Sequence, residues 1–363
     1  MPAYADPAAP IGGGQTTERR PRVAAQRVVQ PARFGRGRTY GALDLGTNNC
    51  RLLIARPGPD GFVVVDAYSR VVRLGEGLLE SGRLSQAAMD RTMTALAACA
   101  EKLGRRDVRL TRNVATEACR RAANGVQFVE RVFAETGIAL DVIGAAEEAR
   151  LAVLGCHMLI EADGPPALVF DIGGGSSELM LVAPGSSAEG GGEPEILEWV
   201  SLPWGVVSLA ETEPQWPELT DREAAYRRML DRVEPLLDGF ARRLAARRVE
   251  TVQLLGTSGT ITTLASVQLG LPGYDRRQVD GCAVETALLL DSCRSIALQS
   301  VQERARLACI GPDRAELIVA GCAILDSILA RWPGGVVRVA DRGIREGILR
   351  TLMARDGVWA AGR

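Results

Sequence analysis

An α/β fold of two layered units with a cleft between them follows from three features of the sequence. At 363 residues the chain has room for two ordinary domains. Short apolar runs and amphipathic segments alternate in its first half as three strands, then helix, strand, helix and strand, the order of a mixed α/β layer. A strand ending in aspartate, a glycine-bearing turn and a second strand occurs twice, at Asp44 and at Asp171, and marks an internal repeat.

Residues 1–38 are rich in Pro, Gly, Ala and Arg without periodicity, which predicts a disordered basic arm. Order is expected from Tyr40. Residues 40–45 and 50–55 are apolar runs separated by Gly46-Thr47-Asn48-Asn49, a hairpin pattern, and a turn at residues 58–61 leads to a third strand over 62–68. Apolar residues at Met89, Met93, Leu96, Ala100 and Leu103 predict an amphipathic helix over 85–103. A strand at 108–114, helices at 116–123 and 126–136, a strand at 140–143 and a helix at 145–160 follow. The repeat then starts again: strands at 167–172 and 177–182, a surface loop over 184–194, and a strand at 196–202. Helices near 221–247, 283–300 and 313–331 and strands at 252–255 and 336–339 complete it. The expected partition is a first domain over 39–147, a second over 148–342, and a final helix over 343–363 packing back on the first.

Composition removes several classes of chemistry. Apolar residues at 47% and charged ones at 24% describe a globular chain, and a net charge of −1 gives no bulk attraction to nucleic acid or membranes. Lys102 is the only lysine and lies outside any GxxxxGK[ST] pattern, which excludes a P-loop. His157 is the only histidine, so serine triads of the usual kind and multi-histidine metal centres are out, and it reads as a packed helix residue. The cysteines lack CxxC spacing and sit in apolar surroundings, as reduced thiols of a cytoplasmic protein do. No apolar run is long enough to predict a spanning helix.

Chemistry must therefore run on carboxylates, hydroxyls, arginines and backbone amides. Asp44-Leu-Gly46-Thr47-Asn48-Asn49 and Asp171-Ile-Gly173-Gly174-Gly175-Ser176-Ser177-Glu178 share one design. A strand delivers an aspartate able to hold a hydrated cation, and glycines then turn amides and hydroxyls toward a phosphate with no Cβ in the way. A single copy is an ordinary hairpin turn; two copies suggest a phosphate chain clamped from both sides. Gly256-Thr257-Ser258-Gly259-Thr260 joins a strand to a helix, whose N-terminal amides suit an anion. Arg120 follows a strand end with a guanidinium fitted to bidentate phosphate contact. Glu147 and Glu148 open a helix; they point about 100° apart, so at most one faces a cleft, and spacing does not choose between them.

On these residues the chain resembles the exopolyphosphatase / guanosine pentaphosphate phosphohydrolase family, a branch of the actin-like ATPase (acetate kinase–Hsp70–actin) superfold. The resemblance runs from Ala42 to about Leu352 through Asp44–Ile54, Ala115–Arg120, Glu147–Leu151, Asp171–Glu178, Gly256–Thr260 and Asp341–Leu349. It implies two ribonuclease-H-like domains flanking a cleft, in the family's short form. It also implies Glu148 as general base, Mg²⁺ on Asp44, Asp171 and Glu178, and phosphates on the loop groups and Arg120. Ser177 and Asn49 replace a frequent threonine and a frequent serine, and both stay small and polar. The reaction implied is release of terminal phosphate from polyphosphate or, alternatively, from pppGpp, with a superfold kinase or a non-enzymatic actin-like protein as further readings. Expected partners are these polyanions, not nucleic acid or membrane, and a homodimer is open.

Overall fold

The computed structural model describes residues 38–58, 61–185, 193–213 and 219–358. The expected basic arm, apart from Arg38, lies outside them, as do Pro59 and Asp60 of the expected turn and residues 186–192 of the expected surface loop.

The first half runs β1 (Tyr40–Leu45), β2 (Asn49–Gly58), β3 (Gly61–Val71), α1 (Leu78–Ser81), α2 (Gln86–Arg105), β4 (Leu110–Ala115), α3 (Glu117–Arg121), α4 (Gly125–Thr136) and β5 (Asp141–Val142). Helix α5 (Ala145–Cys156) leads on to β6 (Ala167–Ile172), β7 (Ser177–Val182), β8 (Ile196–Leu202), α6 (Val206–Ala210), α7 (Leu219–Ala246), β9 (Gln253–Thr257) and α8 (Gly259–Gln268). Then come α9 (Arg276–Val279), β10 (Ala283–Glu285), α10 (Thr286–Leu298), α11 (Val301–Arg306), α12 (Gly311–Arg314), α13 (Ile318–Arg331), β11 (Val336–Ala340) and α14 (Ile344–Arg355).

Among the described residues the strands form two sheets, ordered β3-β2-β1-β4-β5 and β10-β11-β9-β6-β7-β8. In each, three antiparallel strands (β1–β2–β3, β6–β7–β8) continue into parallel ones (β4 and β5; β9 and β11). The internal repeat is thus a repeated topology, differing by the extra edge strand β10, which pairs antiparallel with β11.

Two expected helices break. The expectation over 283–300 begins instead with the short strand β10, and that over 313–331 divides into α12 and α13 at residues 315–317. Isolated strands of three residues carry no readable period. His157 falls in a 3₁₀ turn after α5, is buried, and has Nδ1 3.0 Å from the Leu154 carbonyl oxygen.

The large core of the second sheet packs Phe170, Leu179, Leu181, Phe240, Ile324 and Leu325 between β6, β7, α7 and α13. The first sheet is covered on one face by α2 and α4 through Leu43, Leu52, Leu96 and Phe128. Its other face is covered by the last helix: Ile348, Leu349 and Met353 of α14 pack with Tyr40, Ala42, Leu53 and Val114. Helices α5 and α14 cross closely, since a Cβ on Gly155 would lie 2.6 Å from the Gly343 carbonyl carbon, and one on Gly347 2.9 Å from that of Leu151. The crossing fixes α5, and with it Glu148, against the sheet.

Candidate active site

The two hairpins end in matched turns. Gly46 N–H donates to Asn49 O at 2.9 Å, and Gly173 N–H donates to Ser176 O at 3.0 Å. Strand register then sets which side chains stand beside each aspartate: Asp44 faces Arg51 across β1–β2, and Asp171 faces Glu178 across β6–β7. Register partners in an antiparallel pair project to the same side, so one hairpin presents Asp/Arg and the other Asp/Glu.

The turns meet tip to tip. A Cβ on Gly174 would lie 2.9 Å from Thr47 Cβ and 3.0 Å from Asn48 N; one on Gly175 would lie 2.7 Å from Thr47 Oγ1 and 2.9 Å from Glu117 Cγ. Glycine is required here by the close approach of Thr47, Asn48 and Glu117 rather than by a left-handed φ. The cleft around this meeting point is lined by Asp44, Gly46, Thr47, Asn48, Asn49, Glu148, Asp171, Gly173, Gly174, Gly175, Ser176, Glu178, Thr257, Ser258, Gly259 and Thr260.

The third loop enters strained. Ser258 sits at φ 87, outside the usual range for a side-chain-bearing residue, and its Oγ donates to Ile172 O at 2.7 Å. Thr257 Oγ1 donates to Arg342 O at 2.6 Å. Both hydroxyls are thereby spent, and among the described residues no side chain caps α8. Its first amides open on the cleft, an arrangement suited to an anion.

Glu148 rather than Glu147 faces the cleft. Glu147 is held outside it by Arg112 at 2.6 Å and Arg150 at 2.7 Å. Glu148 is 8% exposed and lies 3.2 Å from Arg120 Nη1. Burial raises its pKa, the Glu178 carboxylate adds to the rise, and Arg120 opposes it. Burial likewise raises Glu178, with Asp171 adding to it, and pushes Asp171 up to about 6 with help from Asp44.

Three of the sequence-predicted phosphate contacts lie elsewhere. Ser177 is fully buried and its Oγ donates to Trp204 O at 2.8 Å, because its strand position turns it off the cleft. Gly256 packs under Phe170 and Ile261, where a Cβ would lie 2.6 Å from the Phe170 ring, so it serves strand–helix packing. Arg120 does not line the cleft; it donates to Ile143 O at 2.6 Å and holds the carboxylates of Glu117 and Glu148.

The cleft also contains Arg51, Glu117, Arg314 and Arg345, which the sequence reading gave no role. Arg314 donates to Thr263 Oγ1 at 2.8 Å. Burial, and then the neighbouring Arg345, lower the pKa of Arg51, and Asp44 opposes them. The cleft is therefore lined by both signs of charge, with Arg51 standing beside Asp44 and Asp341 and Glu346 among the arginines. A charged residue inside the apolar run Cys50–Ile54 was the legible sign of Arg51.

Asp44 Oδ1, Thr47 Oγ1 and Asn48 Oδ1 are buried without a hydrogen-bond partner among the described residues. Orphaned buried oxygens carry a desolvation cost that a ligand would relieve. Hard oxygen donors suit Mg²⁺. Among the described residues no three His, Cys, Asp or Glu side chains are grouped to hold a metal unaided. That still fits Mg²⁺, which keeps waters and commonly uses one or two carboxylates with substrate phosphates.

Known proteins share this architecture. The chain is 33% identical to exopolyphosphatase 2 of Mycobacterium tuberculosis, over 86% of this chain and 97% of that one. It superposes on a crystal structure of the Aquifex aeolicus member of the Ppx/GppA family with a TM-score of 0.69 at 27% identity, covering 88% of this chain and 98% of that one. On a crystal structure of an exopolyphosphatase from Cytophaga hutchinsonii the TM-score is 0.77 at 24% identity, with coverage of 88% and 98%, a likeness of fold. The expected α/β architecture, two mixed sheets flanking a cleft, stands, and its fold is that of the Aquifex aeolicus Ppx/GppA protein. The model of the Ppx/GppA phosphatase family matches residues 53–356, and the chain belongs to that family of phosphate-releasing hydrolases.

Proposed function

We propose that the protein is an exopolyphosphatase, releasing terminal orthophosphate from inorganic polyphosphate by in-line attack of water. The observation that carries this reading is the tip-to-tip meeting of two glycine turns over orphaned oxygens, with Glu148 buried beside them. The similarity to exopolyphosphatase 2 supports the choice of substrate.

In this reading the amides of Thr47–Asn48, Gly174–Gly175 and Gly259–Thr260 hold the terminal phosphates, and Arg51, Arg314 and Arg345 receive the rest of the chain. Glu148 accepts the proton of the attacking water, and Arg120 orients it. Of Asp44, Asp171 and Glu178, one or two would hold Mg²⁺ directly beside waters and substrate phosphates, and the ion when bound spreads the charge that develops on the transferred phosphoryl group. Phosphoryl transfer needs positioning and electrostatic stabilisation more than covalent help.

The test is Glu148→Gln, assayed for phosphate release from long-chain polyphosphate with Mg²⁺, with pppGpp run beside it. Turnover should fall by about 10²–10⁴-fold with substrate affinity little changed. Near-wild-type turnover would remove Glu148 from the role of base. Faster release from pppGpp than from polyphosphate by the wild type would transfer the assignment to guanosine polyphosphate.

A further inference from the structure

Behind the cleft a continuous chain of contacts joins one phosphate turn to the other. Helix α6 hangs from the second turn: Val206 N–H donates to Gly173 O at 2.9 Å, Val207 N–H to Gly174 O at 2.8 Å, and Ser208 Oγ to Gly175 O at 3.1 Å. Glu211 follows directly after α6. Its carboxylate reaches across to the other half of the molecule and accepts from Gly77 N–H at 2.7 Å, with the Leu79 amide as a further donor.

Gly77 belongs to the connection between β3 and α2, and that connection is tied to the first turn. Val72 and Arg73 N–H both donate to Asn48 O, at 2.8 and 3.0 Å, and Gly75 N–H donates to Thr47 O at 2.9 Å. Gly75 is pressed on Thr47, leaving no room for a Cβ. The connection is bent out of ordinary conformations, with φ 47 at Arg73 and 71 at Gly77. Gly77 lacks a side chain to cap α1, so the cap comes from Glu211. Burial raises the Glu211 pKa and its amide partners oppose the rise, so those amides favour the ionised acceptor. Arg73 adds a second tie across the cleft, 3.2 Å from Glu316, but both ends are substantially exposed and such a pair contributes little.

We infer that Glu211 is a positioning residue: through the connection at residues 72–82 it sets the spacing of the two phosphate turns. It touches neither reacting atoms nor the turns themselves. The inference rests on the proposed reaction only for its effect on turnover; the linkage is readable without it.

The experiment compares Glu211→Ala and Glu211→Gln with wild type by hydrogen exchange and by phosphate release from polyphosphate. A charge-assisted bond at an exposed site predicts roughly twofold faster exchange over residues 46–49 and 72–82 in Glu211→Ala. Exchange in β6 and β9 should stay as in wild type. KM should rise by about the same factor with kcat less affected, and Glu211→Gln, whose amide oxygen still accepts, should recover most of both. Unchanged exchange over 46–49 in Glu211→Ala would overturn the linkage, as would equal damage in both variants. A wild-type protein that releases no phosphate from polyphosphate would end the proposed reaction, and the exchange pattern would still decide the role of Glu211.

Discussion

Gly174→Ala tests the meeting of the two turns in isolation. Gly174 is not among the residues with positive φ, so alanine brings no backbone strain there. The added methyl would lie 2.9 Å from Thr47 Cβ, whereas carbon–carbon contact is comfortable at about 3.5–4.0 Å. The second turn cannot retreat, because Gly205 is stacked behind it, with an ideal Cβ 2.6 Å from Gly174 O. The tips must therefore part by roughly 0.6–1 Å. Overpacking costs about 1–3 kcal/mol, and about 1 kcal/mol on a chain of 363 residues is a fall in Tm of about 1–2 °C. A misplacement approaching 1 Å at reacting groups costs up to about 10²-fold in rate. Phosphate release from polyphosphate should thus drop by roughly 10–10²-fold while circular dichroism stays unchanged. Wild-type turnover in Gly174→Ala would refute the idea that both turns act on one phosphate chain.

Further outcomes follow from the same geometry. Asp171 has its pKa raised from 3.8 to about 6 by burial, so the folded state keeps a proton that the unfolded chain releases. Its contribution is full below pH 3.8 and is lost as pH rises through about 6, a cost of order 3 kcal/mol at pH 7. In chelator, Asp171→Asn should therefore be more stable than wild type by about 1–3 kcal/mol at pH 7 and equal to it at pH 4, read by urea unfolding. Gly155→Ala should lose about 1–3 kcal/mol in the same measurement, despite a helix-propensity gain near 1 kcal/mol. Its methyl has no space against Gly343 where α5 crosses α14.

The turns were readable because their chemistry is written locally: aspartate, glycine and small hydroxyls follow one another without interruption. What lay beyond them depended on strand direction and distant partners. Ser177 belongs to the motif by sequence, yet its place in the pleat sends its hydroxyl to Trp204. Gly256 looks like a phosphate-loop glycine and is instead a clearance for the Phe170 ring. Arg120 was found by type but not by partner, since Glu117 and Glu148 claim its guanidinium. Arg314 and Arg345 come from distant segments and resemble any other arginine in a chain whose cations are almost all arginine. The break between α12 and α13 that brings Arg314 to the cleft carries no proline at residues 315–317 to announce it.

The return of α14 to the first sheet has a consequence for how the molecule is made. Tyr40, Ala42, Leu53 and Val114 share one cluster with Ile143 and Leu151 and with Ile348, Leu349 and Met353 of the late helix. During synthesis, when earlier-made segments ordinarily fold first, that apolar face stays incompletely covered until the segment holding these late residues leaves the ribosome. The half translated first is the half completed last, and a nascent chain stalled ahead of Ile344 would be a client for chaperones that bind exposed sheet.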